Sequence, residues 1–300
     1  MKRLLLIDGS NLLFQMFFGM PARIVNREGK AIQGTLGFTG ALLKIIRMVN
    51  PTHATVIFDG EHENGRCEID PDYKGNRPDF CSADESENPF SQLPDVYKAL
   101  DFLSIKHAEA ADCETDDIIA SYALRYGAKN YEEAAENSEI GRKSKTAPET
   151  DIVVSSFDSD FFQLISENVT VLRYRGKKTV MCTPEFVMNK FGVKPGQYAD
   201  FKSLTGDHAD NIRGAEKIGP KTAAMLLNQF GTLDNIITRA EEIKKPFVKE
   251  SVIKNTERLK NNYKIIKLSD TAKLPFALKE LEYSDSGIKT NQVLEKIGLR

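Results

Sequence analysis

Three short aliphatic runs, Arg3 to Ile7, Ala54 to Phe58 and Asp151 to Ser155, each lead into aspartate: Asp8, Asp59, and then Asp158 with Asp160. Runs this short and this rich in branched residues suit buried parallel strands better than helices. Leu36 to Val49, stopped by Asn50-Pro51, has helical spacing between the first two, which gives strand-helix-strand order. Ligands of open parallel sheets sit beyond the carboxyl ends of the strands, so three strands ending in Asp aim several carboxylates at one crevice. One aspartate after a strand is ordinary turn chemistry; three on one sheet edge ask for a cation.

More acids join them. Glu114, Asp116 and Asp117 open a helix whose apolar positions Ile118, Ile119, Tyr122, Ala123 and Tyr126 keep helical spacing. Asp207 and Asp210 lie three apart in Leu204-Thr205-Gly206-Asp207-His208-Ala209-Asp210-Asn211. Two like charges about 4 Å apart repel by roughly 4 kcal/mol at an effective dielectric of 20, so nine converging carboxylates demand metal. All-oxygen donors select Mg²⁺, with Mn²⁺ able to substitute. Two such ions, one activating water and one stabilising a leaving oxygen, would hydrolyse a phosphodiester in line.

Overall charge is −2, which alone argues against a polyanionic partner, but neutralising the nine acids would leave the remainder basic. Gly214-Ala215-Glu216-Lys217-Ile218-Gly219-Pro220-Lys221-Thr222 precedes a helix. Pro220 and the lack of a preceding strand disfavour a Walker loop. A turn between two helices, offering backbone N–H groups to a phosphate or simply joining them, fits better. Arg66, Tyr73, Lys74 and Arg77 set an aromatic among cations; such a run clamps a phosphate and stacks a base, or is a solvated loop. Gly34, Gly37 and Gly40 are read as easing helix packing.

Other chemistries are excluded. Cys67, Cys81, Cys113 and Cys182 form no C-x-x-C pair, and His53, His62, His107 and His208 form no zincin motif. No G-x-S-x-G elbow occurs. No apolar run approaches the roughly 20 residues a bilayer span needs, and the N-terminus reads as a strand, not a signal peptide. A cytoplasmic protein without membrane association is expected.

The joint pattern resembles the 5′ nuclease family: the 5′→3′ exonuclease domain of bacterial DNA polymerase I and its stand-alone flap endonuclease relatives. The resemblance covers residues 1 to about 126 and 151 to about 240. Asp8 in Leu-Ile-Asp-Gly-Ser, Asp59 in Ile-Phe-Asp-Gly, the E-x-D-D of Glu114, Asp116 and Asp117, the D-x-D of Asp158 and Asp160, and Asp207 with Asp210 fill its metal-ligand positions. It implies an α/β fold with a mostly parallel central sheet, helices on both faces, a helical arch, and a C-terminal helical region with a helix-hairpin-helix. Domain limits of 1–182 and 183–300 follow, with the arch at about 66–95, a solvated mobile insertion at about 128–150 and the hairpin at about 207–231.

By the same resemblance Asp8, Asp59, Glu114, Asp116 and Asp158 would hold the first Mg²⁺, directly or through water, and Asp160, Asp207 and Asp210 the second. Lys74 and Arg77 would polarise the scissile phosphate. Arg66, Tyr73, Gly214, Lys217, Gly219, Lys221 and Thr222 would touch DNA, with K⁺ at the hairpin. The implied activity is a stand-alone, monomeric 5′→3′ exonuclease and flap endonuclease acting at 5′ ends, flaps or junctions of DNA, and on RNA primers, in replication and repair. The alternatives are a non-catalytic DNA-structure-binding paralogue and a PIN-like ribonuclease. The arch stretch Pro78 to Ser91 departs from the family, carrying four acids and no base. Asp234 to Ile243 and Lys249 to Lys267 are expected as single helices.

Overall fold

The computed structural model describes residues 2–20, 22–60, 65–77, 80, 84, 87–127 and 150–300. The insertion expected at about 128–150, apart from Thr150, which opens a strand, and half of Pro78 to Ser91 therefore lie outside the described residues. Strand β1 (Lys2–Asp8) runs into helix α1 (Gly9–Gly19), followed by α2 (Gln33–Val49), β2 (His53–Phe58), the short α3 (Gly65–Ile69), α4 (Leu93–Phe102), β3 (Lys106–Glu109) and α5 (Thr115–Gly127). Beyond the insertion come β4 (Thr150–Ser155), β5 (Val169–Arg173) and β6 (Val180–Cys182). They form one six-stranded sheet in the order β3-β2-β1-β4-β5-β6, parallel except for β6.

Strand β1 is central, and its alternation divides the core. Leu5 and Ile7 pack against α1, α2 and α4. Leu4 and Leu6 pack on the other face, against α5 and the helices that follow the sheet. All four are fully buried, each worth about 1.5–3 kcal/mol relative to exposure. A Cβ on Gly37 would stand 2.9 Å from Met16 Cβ, and one on Gly34 about 3.0 Å from the Phe17 ring. Those two glycines thus let α1 and α2 approach, as read from the sequence.

The remainder is helical: α6 (Pro184–Phe191), α7 (Tyr198–Thr205), a two-strand ribbon of β7 (Gly206–Asp207) and β8 (Ile212–Arg213), α8 (Pro220–Phe230), α9 (Leu233–Thr238), α10 (Pro246–Lys254), α11 (Thr256–Ile266) and α12 (Thr290–Lys296). Phe162, in the turn between β4 and β5, packs on Phe186, Phe191 and Tyr198, so this region continues the sheet's core.

Two helical expectations are corrected. Lys249 to Lys267 is two helices, because Asn255 adopts φ −100° and ψ 12° and turns its Nδ2 back to the Ser251 carbonyl at 2.8 Å. Asp234 to Ile243 ends its α-helix at Thr238 and continues as a single 3₁₀ turn. Among the described residues no helix is long and apolar enough to cross a membrane.

Candidate active site

Parallel pairing sets Ile7 beside Ser155 and Asp8 beside Ile57, so the ends of β1, β2 and β4 open at one level. Asp8 caps α1: its Oδ1 accepts the Asn11 N–H at 2.9 Å. Its Oδ2 accepts the Ser156 hydroxyl at 2.8 Å, and Ser156 Oγ accepts the Asp158 N–H at 2.9 Å. Asn11 Oδ1 takes the Phe157 N–H at 3.0 Å, and Ser10 Oγ takes the Asp59 N–H at 2.8 Å. The first turn of α1 thereby ties three strand ends together. The Ala110 N–H bonds the Phe58 carbonyl at 2.9 Å, which fixes the segment leading to α5 and Asp116.

Electrostatics show that these carboxylates face one another. Burial raises the Asp8 carboxyl to about 7, and the charges of Asp59 and Asp158 push the same way, against the Asn11 and Ser156 hydrogen bonds. Asp116 is held well above the usual carboxylate range by burial and then by Asp158 and Asp8, with Lys74 opposing. Among the described residues none of Asp8, Asp59, Asp116 and Asp158 forms a salt bridge. Asp8, Asp59, Asp116 and Asp158 are thus a group of like charges eased by the more distant Lys74.

The other five acids are each paired with a basic side chain of the protein. Arg66 joins Glu114 and, at 2.8 Å, Asp117, while Lys74 Nζ reaches Glu114 Oε1 at 2.7 Å. Asp117 Oδ1 also accepts the Ser269 N–H at 2.8 Å. The E-x-D-D helix start is therefore divided: Asp116 turns to the strand ends, and its neighbours hold the chain after α3. Asp160, Asp207 and Asp210 each offer an oxygen within 4.8 Å of the others. The Lys202 ammonium pairs with Asp160 and Asp207, and Arg77 Nη2 meets Asp210 Oδ1 at 2.8 Å. Burial raises Asp160 to about 7 even with Lys202 opposing.

The segment carrying Arg66, Tyr73, Lys74 and Arg77 is fastened to the late acid pair. Lys74 N–H bonds the Asp210 carbonyl at 3.0 Å, Asn76 Nδ2 the His208 carbonyl at 3.1 Å, and Asn211 Nδ2 the Asp72 carbonyl at 2.8 Å. Tyr73 is 6% exposed, with its hydroxyl 3.3 Å from Glu114 Oε2. In this arrangement its ring is buried, and Arg66 faces inward to two carboxylates. Arg77, about half exposed, and Lys74 remain beside the acids.

In the hairpin, a Cβ on Gly214 would stand 2.3 Å from the Thr205 carbonyl carbon, and Gly206 has φ +80° with Gly214 N 2.5 Å from its own hypothetical Cβ. The two glycines let the strands of the ribbon cross. Ala215 and Ile218 are buried, while Lys217, Gly219 and Lys221 are exposed and Thr222 is half-buried. Gly219 has open space where a Cβ would be and caps α8. The turn therefore anchors by its apolar residues and presents backbone and lysines outward.

Sequence reasoning missed Lys202, Ser156, Asn11 and Ser10. The last two stand in the first turn after Asp8, where N-cap chemistry could have flagged them. Lys202 had only the hint of a lysine set between Phe201 and Leu204 in an apolar stretch.

Residues 3–192 match the 5′-3′ exonuclease N-terminal resolvase-like domain, and residues 193–288 the 5′-3′ exonuclease C-terminal SAM fold. The chain belongs to the 5′-3′ exonuclease family. It is 28% identical over 302 residues to a 5′-3′ exonuclease of Aquifex aeolicus, covering 100% of this chain and 93% of that one. It is 31% identical over 295 residues to DNA polymerase I of Streptococcus pneumoniae, covering 96% of this chain but 31% of the polymerase, so it spans about a third of such relatives. The bacteriophage T5 flap endonuclease, solved as a pseudo-enzyme-product complex with DNA and metal ions, superposes with a TM-score of 0.65 at 20% identity over 88% of this chain and 89% of that one. The two share the fold, an α/β core with a helical C-terminal region.

Proposed function

We propose that this chain is a divalent-metal-dependent 5′-3′ exonuclease and flap endonuclease, hydrolysing phosphodiesters at 5′ ends, flaps and junctions of DNA during replication and repair. The observation that carries this reading is the group of Asp8, Asp59, Asp116 and Asp158 at the strand ends, mutually repelling and without a salt bridge among the described residues. Its donors are all carboxylate oxygens, with no imidazole or thiolate among them, which fits Mg²⁺ or Mn²⁺. Bound divalent ions supply Lewis acidity toward water and the phosphoryl oxygens.

The chain's own residues divide the rest of the work. Asp8, Asp59, Asp116 and Asp158 hold the first ion, and Asp160, Asp207 and Asp210 offer the second site. Glu114 and Asp117, paired to Arg66 and Lys74, act as the internal anchor of the basic segment and not as direct ligands. Lys74 and Arg77 bind the scissile phosphate and orient it against the acids. The exposed Lys217, Gly219 and Lys221 meet the duplex backbone at the start of α8, where the hairpin would also hold a K⁺. Activity as a monomer and on RNA primers belongs to the same reading.

A labelled 5′-flap duplex, incubated with Mg²⁺ or with chelator, tests it. Cleavage near the junction with Mg²⁺ alone is expected, and Asp116→Asn should abolish cleavage while keeping DNA retardation in a gel. Full cleavage by that variant refutes the assignment. Retarded but uncut DNA in both conditions favours a non-catalytic binder, and cutting of single-stranded RNA without regard to a junction favours a ribonuclease.

A further inference from the structure

Lys202 is the one buried lysine among the described residues, 5% exposed. A buried ammonium must be paired, and its partners are Asp160 and Asp207, two of the three acids whose oxygens lie within 4.8 Å of one another. Arg77 takes the third acid. A divalent ion about 2.1 Å from the oxygens of Asp160 and Asp207 would lie within about 5 Å of Nζ, in a site with little water to screen two cations. The ammonium and the ion thus compete for the same two carboxylates. Among the described residues no ammonium or guanidinium forms a salt bridge with Asp8, Asp59, Asp116 or Asp158.

We propose that Lys202 is the resident cation of the Asp160, Asp207 and Asp210 cluster and thereby orders metal loading. The inference rests on the two-ion reading above. Without DNA the protein takes one divalent ion, at Asp8, Asp59, Asp116 and Asp158; a second enters only by displacing the Lys202 ammonium. Bound DNA brings phosphate charge to the same edge of the sheet, which favours the second ion and gives the displaced ammonium another acceptor. Lys202 is on this view a positioning residue that keeps Asp160 and Asp207 paired and the cluster folded until substrate arrives.

The test counts bound Mn²⁺ by electron paramagnetic resonance of the free ion, on the full chain without DNA. The wild type should bind one ion, with any second at least tenfold weaker. Lys202→Met and Lys202→Gln should each tighten the second ion tenfold or more and leave the first unchanged; adding Asp160→Asn to Lys202→Met should remove that gain. Lys202→Arg, which keeps a cation in place, should bind as the wild type does. Two equally tight ions in the wild type overturn the proposal, and so does an unchanged second site in the folded neutral variants. If Asp116→Asn leaves the first ion in place, the metal-centre reading itself falls, and this inference with it.

Discussion

Ser156 donates its hydroxyl proton to Asp8 Oδ2 at 2.8 Å, while its oxygen accepts the N–H of Asp158 at 2.9 Å. One small side chain thus ties the Asp8 carboxylate to the Asp158 backbone, joining two of the four acids at the strand ends. Groups that orient metal ligands from behind carry about 10- to 100-fold in metal affinity. Ser156→Ala should accordingly weaken Mn²⁺ binding at least tenfold and raise the Mg²⁺ concentration needed for half-maximal cleavage, with the circular dichroism spectrum unchanged. Unaltered Mn²⁺ titration would remove Ser156 from the site.

The raised Asp8 carboxyl has a consequence for stability with a definite sign. Asp8 moves from 3.8 to about 7 on folding, so between these limits the native state holds a proton that the unfolded chain has released. Its contribution therefore makes the metal-free protein less stable as pH rises from about 4 to about 7. Thermal melts in chelator should show that fall, and Asp8→Asn should flatten it. Saturating Mn²⁺ binds the ionised form and should reverse the trend, since the ion then gains ground as protons leave. A wild-type protein in chelator with the same pH slope as Asp8→Asn would contradict the shift.

Gly214 and Gly219 belong to one sequence motif and make opposite predictions. A methyl group on Gly214 meets the Thr205 backbone at 2.3 Å; one on Gly219 meets nothing. Gly214→Ala should cost about 1–3 kcal/mol through overpacking, which for a chain of this size is a loss of several degrees in Tm. Gly219→Ala, at φ −87°, should melt with the wild type and lose affinity for duplex DNA, because its methyl group stands where a phosphate would approach the α8 N-terminus. Equal melting of the two variants would show that the ribbon crossing is not tight.

The aspartates at the strand ends were legible because a strand's length, its branched residues and the acid that follows are all local. So was the sheet that gathers them, at its three central strands. Strands β3, β5 and β6 escaped notice, being four, five and three residues long, and the Asn255 break is invisible to a helical period that runs through it. The division of the nine acids was beyond reach for another reason: Arg66 meets Glu114 across 48 positions and Lys202 meets Asp160 across 42. Periodicity carries no information about which cation will fold back onto which carboxylate. Lysine is also ordinarily at the surface, so nothing local marked Lys202 as buried.

That same division separates two basic residues which the sequence placed together as DNA contacts. Lys221 is exposed at the start of α8, where a phosphate contact releases counterions; its loss should lower the slope of log K against log salt by about 0.9. Arg66 is instead buried against Glu114 and Asp117, with 12% of its side chain exposed. Removing it leaves two buried carboxylates short of a partner, at a cost of about 3–5 kcal/mol, and frees the segment that carries Lys74 and Arg77. Lysine at position 66 has no planar fork to reach both acids, so Arg66→Lys should recover only part of the stability. Flap-duplex binding titrated from low to high salt, alongside urea melts, distinguishes the two. Lys221→Ala should change the slope and leave the melt alone, whereas Arg66→Ala should shift the melt and the cleavage rate and keep the slope. An Arg66→Ala protein that melts like the wild type but binds DNA with a reduced salt slope would return Arg66 to the DNA interface.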